Sequence, residues 1–173
     1  MRLKRFRVSN YRNVIDTDWI ETTDITAFVG PNEAGKSNLF EALYCLNPYV
    51  DGATYDTAED WPVDDWKGRK DAKGKPVCRA LFSLSPEDIG TLYEFAAMPE
   101  GDDDAGGEGE DATPGTTAEA KEPPAPPKSM NILACKSYGH ATGFYLANAD
   151  ARTFEGSDLG LDSDKVSEWV RKN

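Results

Sequence analysis

Gly30, Pro31, Asn32, Glu33, Ala34, Gly35, Lys36 and Ser37 follow one another in an order that fits G-x-x-x-x-G-K-[ST], a loop whose chemistry is the binding of phosphates. Each residue type has its own job. Glycines at 30 and 35 allow backbone angles and close approaches that a side chain would block. Amide N–H groups from Asn32 to Ser37 can then turn inward as a nest for phosphate oxygens, reinforced by the positive end of a helix dipole. Lys36 supplies a mobile cation to the β- and γ-phosphates, and the Ser37 hydroxyl is the expected ligand of Mg2+. The pattern predicts a nucleotide site for ATP with Mg2+. A plain glycine turn with a solvated lysine would leave unexplained why Gly35-Lys36-Ser37 stands at a helix start directly behind an apolar run.

The elements that must position this loop are legible on both sides of it. Leu3 to Val8 is predicted as one strand. Ile25 to Val29 is predicted as another, continuously apolar as a strand buried on both faces should be. After Gly35, Leu39, Ala42, Leu43 and Leu46 recur at helical spacing, and Pro48 marks the end. Further on, Cys78, Ala80, Phe82 and Leu84 alternate with Arg79, Leu81 and Ser83, the pattern of a half-buried strand. Ser85-Pro86-Glu87-Asp88 is a helix start, with serine as cap, proline at the first position and acids in the first turn. That helix is expected to reach Ala97, with Ile89, Leu92, Tyr93 and Ala96 inward. Asn131 to Lys136 and Phe144 to Ala147 read as two strands around the turn 137–143, and Val166, Trp169 and Val170 as a short amphipathic helix.

Length and composition bound the rest. The chain has 173 residues, 31 acidic against 19 basic, for a net charge of -12. Residues 99–128 hold nine acids and two lysines among Gly, Pro, Ala and Thr, with no large apolar side chain, so this stretch is expected to be a disordered acidic loop. The expected organisation is therefore 1–98, the loop 99–128, and 129–173 returning as a β-hairpin and short helix of the same lobe. No run approaches the roughly 18 apolar residues of a membrane span, and the charged start does not read as a secretory signal; the expectation is a cytoplasmic chain with no membrane partner. Cys45, Cys78 and Cys135 lie far apart without paired spacing and read as reduced, mostly buried thiols. His140, the single histidine, is read as a turn residue.

The loop wording and its neighbourhood resemble a known family. Residues 30–43, GPNEAGKSNLFEAL, preceded by the strand 3–14, LKRFRVSNYRNV, look like the N-terminal ATPase lobe of the SMC, RecF and OLD group of ABC-type ATPases, which act in DNA repair, chromosome maintenance and phage defence. With Glu33 and Asn38 in it, the loop is most similar to OLD-like ATPases, many of which continue into a Toprim nuclease domain. The resemblance is strong over residues 1–47, weaker through the strand near 77–84 and the helix after it, and loose beyond. It implies an α/β P-loop NTPase fold: an ABC-ATPase-like lobe with a mixed sheet, a phosphate-loop helix and an added antiparallel β portion. It also implies that Arg12, in Asn10-Tyr11-Arg12, lies near the bound phosphates together with Asn38, and that Tyr11 supports the adenine side or the strand end.

Hydrolysis in this group needs a second acidic motif, four apolar residues followed by Asp-Glu, and a signature motif resembling LSGGQ. Neither occurs here, nor any glutamine. Residues 144–150, FYLANAD, come nearest to the acidic motif but read as a hairpin strand. The chain is accordingly expected to be the N-terminal portion of a longer ATPase, by truncation or a split gene, that binds ATP weakly alone, hydrolyses it poorly, and functions as a homodimer or longer assembly. Residues 56–76, with Trp61 and Trp66, read as an exposed loop with aromatic anchors. At a charge of -12 the chain is a poor general DNA binder, so DNA contact is expected only through further regions or a dimer. Two other readings stand beside this one. An ABC transporter ATP-binding subunit would normally carry a second glycine or serine where Glu33-Ala34 stands. A non-catalytic interaction module would have a vestigial phosphate loop.

Overall fold

The computed structural model describes residues 1–48, 53–98, 125–159 and 161–173. Its frame is a sheet of six strands: β1 (Arg2–Tyr11), β2 (Val14–Asp16), β3 (Ile20–Glu21), β4 (Pro76–Ser83), β5 (Asn131–Ser137) and β6 (Gly143–Ala147). Their order is β2-β1-β4-β5-β6, with β3 also on β1, and every pair is antiparallel. Three helices complete it: α1 (Lys36–Tyr44), α2 (Pro86–Ala97) and α3 (Ser163–Lys172).

Alternation along the strands decides which side chains meet the helices, because successive residues point to opposite faces. Phe6, Ala80, Ala134 and Phe144 stand in register across β1, β4, β5 and β6. With Val8 and Cys78 they form the floor on which α1 packs through Ala42 and Leu39. Further along the sheet, Ile132 and Leu146 join Ile89 and Leu92 of α2 and Val166 and Trp169 of α3 in a second buried cluster. Residues 129–173 thus share one sheet with the N-terminal part through the β4–β5 pairing.

The locally encoded elements form where the sequence puts them. Ser85 Oγ accepts the Asp88 N–H at 3.1 Å, Asp88 Oδ2 accepts the Ser85 N–H at 2.8 Å, and Pro86 opens α2. Ile89 and Leu92 are buried, while Tyr93 and Ala96 pack partly against them. His140 sits in the turn between β5 and β6, its N–H donating to the Ser137 carbonyl. Residues 144–147 belong to the hairpin strand β6, as expected. The expected acidic loop lies almost wholly outside the described residues.

One expected element is corrected. Ile25 to Val29 forms no strand, and Ile25 and Val29 are 89% and 93% exposed. Only Phe28 turns inward, with its ring 6.2 Å from Phe6 and 5.3 Å from Phe40. A strand buried on both faces needs paired neighbours and covered faces, and no described strand pairs with this segment. The parallel part of the expected mixed sheet would run through it, so the described sheet is antiparallel throughout.

All three cysteines are shielded. Burial pushes the thiols of Cys45 and Cys135 upward and raises that of Cys78 to about 12. Since the thiolate is the reactive form, Cys78, with no exposed surface, should resist alkylation at pH 8 in the native protein and label only on unfolding. Mass spectrometry after a timed iodoacetamide pulse measures this, and complete native labelling of Cys78 would contradict the burial.

Candidate phosphate-binding site

The loop 30–37 ends in α1, whose amino terminus differs from those of the other helices. α2 is closed by Ser85 and Asp88, and α3 by Asp162, whose carboxylate accepts the N–H groups of Asp164 and Lys165. α1 starts at Gly35 with no side-chain cap among the described residues and no acid in its first turn. A helix start leaves several N–H groups without partners, and here they open on a cavity of about 230 Å³ lined by Asn32, Glu33, Gly35, Lys36, Ser37 and Asn38. The arrangement suits an anion: free donors, the positive end of a helix dipole, and a cation at its edge.

Gly35 is a glycine for two reasons. Its φ of +84° lies in the left-handed region, and a Cβ there would stand 2.6 Å from Asn13 Oδ1. Gly30 is different. Its φ is not positive, and a Cβ would meet only Ala34 Cβ at 3.9 Å, an ordinary contact. Within the loop itself only Gly35 is sterically required. Glu33 also adopts a positive φ, 71°; Pro31 accepts the Ala34 N–H at 3.4 Å. Lys36 reaches back over the loop, its Nζ donating to the carbonyls of Gly30 at 2.8 Å and Pro31 at 2.6 Å. Two of its three donors are so engaged. The Ser37 hydroxyl, in the first turn, has no hydrogen-bond partner among the described residues, which leaves it for a ligand.

The hairpin β1–β2 flanks the loop. Asn38 Nδ2 donates to Asn13 Oδ1 at 2.8 Å, and Asn13 Nδ2 donates to the Glu33 carbonyl at 3.4 Å. Asn13 thereby clips the phosphate loop to the hairpin, a contact between residues 25 apart that no local pattern signals. Arg12 stands beside it. Its Nη1 donates to Asn38 Oδ1 at 3.2 Å and pairs with Glu41, and its Nε donates to Asp60 Oδ1 at 2.9 Å. Burial lowers the Arg12 pKa, but the Asp60 hydrogen bond and the nearby acids outweigh it, so the guanidinium stays charged. Tyr11 is buried against Tyr55, ring centroids 5.7 Å apart. Its burial fits support of the strand end, one of the two roles the resemblance implies for it.

The residues after α1 serve the site indirectly. Trp61 is buried, its ring 5.5 Å from Tyr138, and anchors the segment that carries Asp60, whereas Trp66 is 68% exposed. Just past the other end of α1, two carbonyls of the turn that follows it find donors on the β5–β6 hairpin. Lys136 Nζ donates to the Cys45 carbonyl at 2.5 Å and Thr142 Oγ1 to that of Leu46 at 2.5 Å. Burial holds the Lys136 pKa below its ordinary value.

No helix among the described residues is long and apolar enough to cross a membrane. No family model matches the chain. Over 67 residues it is 33% identical to the DNA replication and repair protein RecF of Desulforamulus reducens, a stretch covering 39% of this chain and 17% of that protein. Over 46 residues it is 39% identical to the protein of the same name from Macrococcus caseolyticus, covering 27% and 12% of the two chains. The chain thus matches less than a fifth of the length of either relative, and across those stretches it is similar to a DNA replication and repair protein.

Proposed function

We propose that this chain is the ATP-binding N-terminal portion of a RecF-type ATPase of the SMC, RecF and OLD group, acting in DNA repair, DNA processing or phage defence. The observation that carries the reading is the uncapped start of α1, with Gly35 in the left-handed region and Lys36, Ser37 and Asn38 around an open cavity. Partial similarity to RecF points the same way. In this reading the loop amides and Lys36 hold the β- and γ-phosphates, Arg12 approaches them from the hairpin, and Ser37 is the protein's ligand to Mg2+. The bound metal would supply charge neutralisation and a fixed phosphate geometry.

The exposed Ile25 and Val29 fit the same proposal. In a longer ATPase, further sequence would pair with this segment and cover both side chains. Hydrolysis, a homodimeric or longer assembly, a coupled Toprim nuclease and contact with DNA would then belong to the whole ATPase. A placement among OLD-like proteins rests on Glu33 and Asn38 alone.

The test is a titration of wild type and Lys36→Ala with Mg2+ and a fluorescent ATP analogue. A hydrogen bond to a charged group contributes about 1.5–3 kcal/mol, so the variant should bind about 10- to 100-fold more weakly, with an unchanged circular dichroism spectrum. Equal affinity in the two proteins would remove the reading.

A further inference from the structure

Arg12 is the first loop residue of the hairpin between Tyr11 and Val14, and its φ is 50°. A long side chain in that region is strained, and such strain persists only where the surroundings fix it. Asp60 does so twice: its backbone carbonyl accepts the Arg12 N–H at 2.6 Å and its carboxylate accepts Nε at 2.9 Å. Asp60 is itself 6% exposed, and its other oxygen accepts the Asp56 N–H at 3.0 Å. Glu41, the second acid on Arg12, is half exposed, and an exposed ion pair of this kind holds little. Nη2 has no hydrogen-bond partner among the described residues.

We propose that Asp60 is a positioning residue for nucleotide binding, one that locks Arg12 beside the phosphate loop with Nη2 left to meet a phosphate oxygen. This rests on the nucleotide reading above. Asp60 fixes the backbone turn and one edge of the guanidinium from a buried site, while Glu41 and Asn38 share Nη1 at the surface, where an arriving phosphate can displace the weaker partner. Trp61, packed on Tyr138, keeps Asp60 in place.

The experiment is a double-mutant cycle on Arg12→Ala and Asp60→Asn, with wild type and Lys36→Ala as references, read by titration with Mg2+ and the fluorescent ATP analogue and by thermal melting. Asp60→Asn keeps the shape of the side chain and so avoids the unfolding risk of an alanine. Each single variant should lose about tenfold in affinity, and the double variant should lose no more than Arg12→Ala alone. In a nitrogen-15 NMR spectrum the Arg12 Nε–H signal should be protected from exchange in wild type and unprotected in Asp60→Asn. Unchanged or tighter binding by Asp60→Asn overturns the assignment, as does a loss that persists in full beside Arg12→Ala, which would mean that Asp60 supports only the fold. If Arg12→Ala binds like wild type while Lys36→Ala does not, the Asp60 assignment falls and the nucleotide site stands. If wild type binds no better than Lys36→Ala, the nucleotide reading itself fails.

Discussion

Gly35→Val should weaken nucleotide binding by roughly a hundredfold or more, a larger effect than loss of the Lys36 charge. The backbone at residue 35 has φ +84°, where a β-branched side chain costs on the order of 1–3 kcal/mol. A Cβ there would also stand 2.6 Å from Oδ1 and 2.8 Å from Nδ2 of Asn13. Asn13 would have to swing away, releasing both its bond from Asn38 and its bond to the Glu33 carbonyl. Several loop amides would lose their aim together, and at about 1 kcal/mol each the affinity should fall by roughly a hundredfold or more. The two causes separate experimentally. Gly35→Ala combined with Asn13→Ala removes the collision but not the strained angle, so it should regain part of the melting temperature lost in Gly35→Ala and not all of it. Saturable binding by Gly35→Val at wild-type affinity would mean that the loop is not where the nucleotide goes.

What could be read from the sequence follows the range of the interactions involved. α2 was legible to the residue because its start is written in four consecutive positions, Ser85 to Asp88, and closed by bonds within three residues. The turn at Gly35 and the start of α1 at Lys36 were legible for the same reason. Ile25 to Val29 misled because an apolar run states what a segment could bury, whereas burial itself depends on neighbours that the described sheet does not bring to it. The motif records both glycines alike, and only the backbone angles distinguish Gly35, at positive φ, from Gly30. Asn13 and Asp60 carried no local signal at all. Each becomes part of the site only when chain segments 25 and 48 residues apart fold together, and Asp60 sat unremarked in a stretch read as an exposed loop with aromatic anchors. Lys136 likewise looked like a strand end until the sheet set it under the last turn of α1.

Trp169→Ala should be the most destabilising single change, and it tests whether residues 129–173 fold with the phosphate loop as one unit. Trp169 is 3% exposed and packs with Ile89, Leu92, Ile132 and Leu146. Ten residues are too few for α3 to be stable by itself, so its helix exists because Val166 and Trp169 are buried. Removing a buried tryptophan costs about 3–5 kcal/mol against a total of roughly 5–15 kcal/mol for a whole domain, which should lower the melting temperature by on the order of 10 °C or more. The consequence reaches the site through the hairpin. α3 packs on β6, β6 pairs with β5, and β5 carries the lysine that holds the Cys45 carbonyl just after α1. If that chain of contacts is cooperative, urea unfolding followed by circular dichroism and loss of ATP binding should shift together in a single transition. A variant in which α3 melts early while the sheet and nucleotide binding keep the wild-type midpoint would show instead that the C-terminal segment is an appendage, and that α1 is held by the N-terminal strands alone.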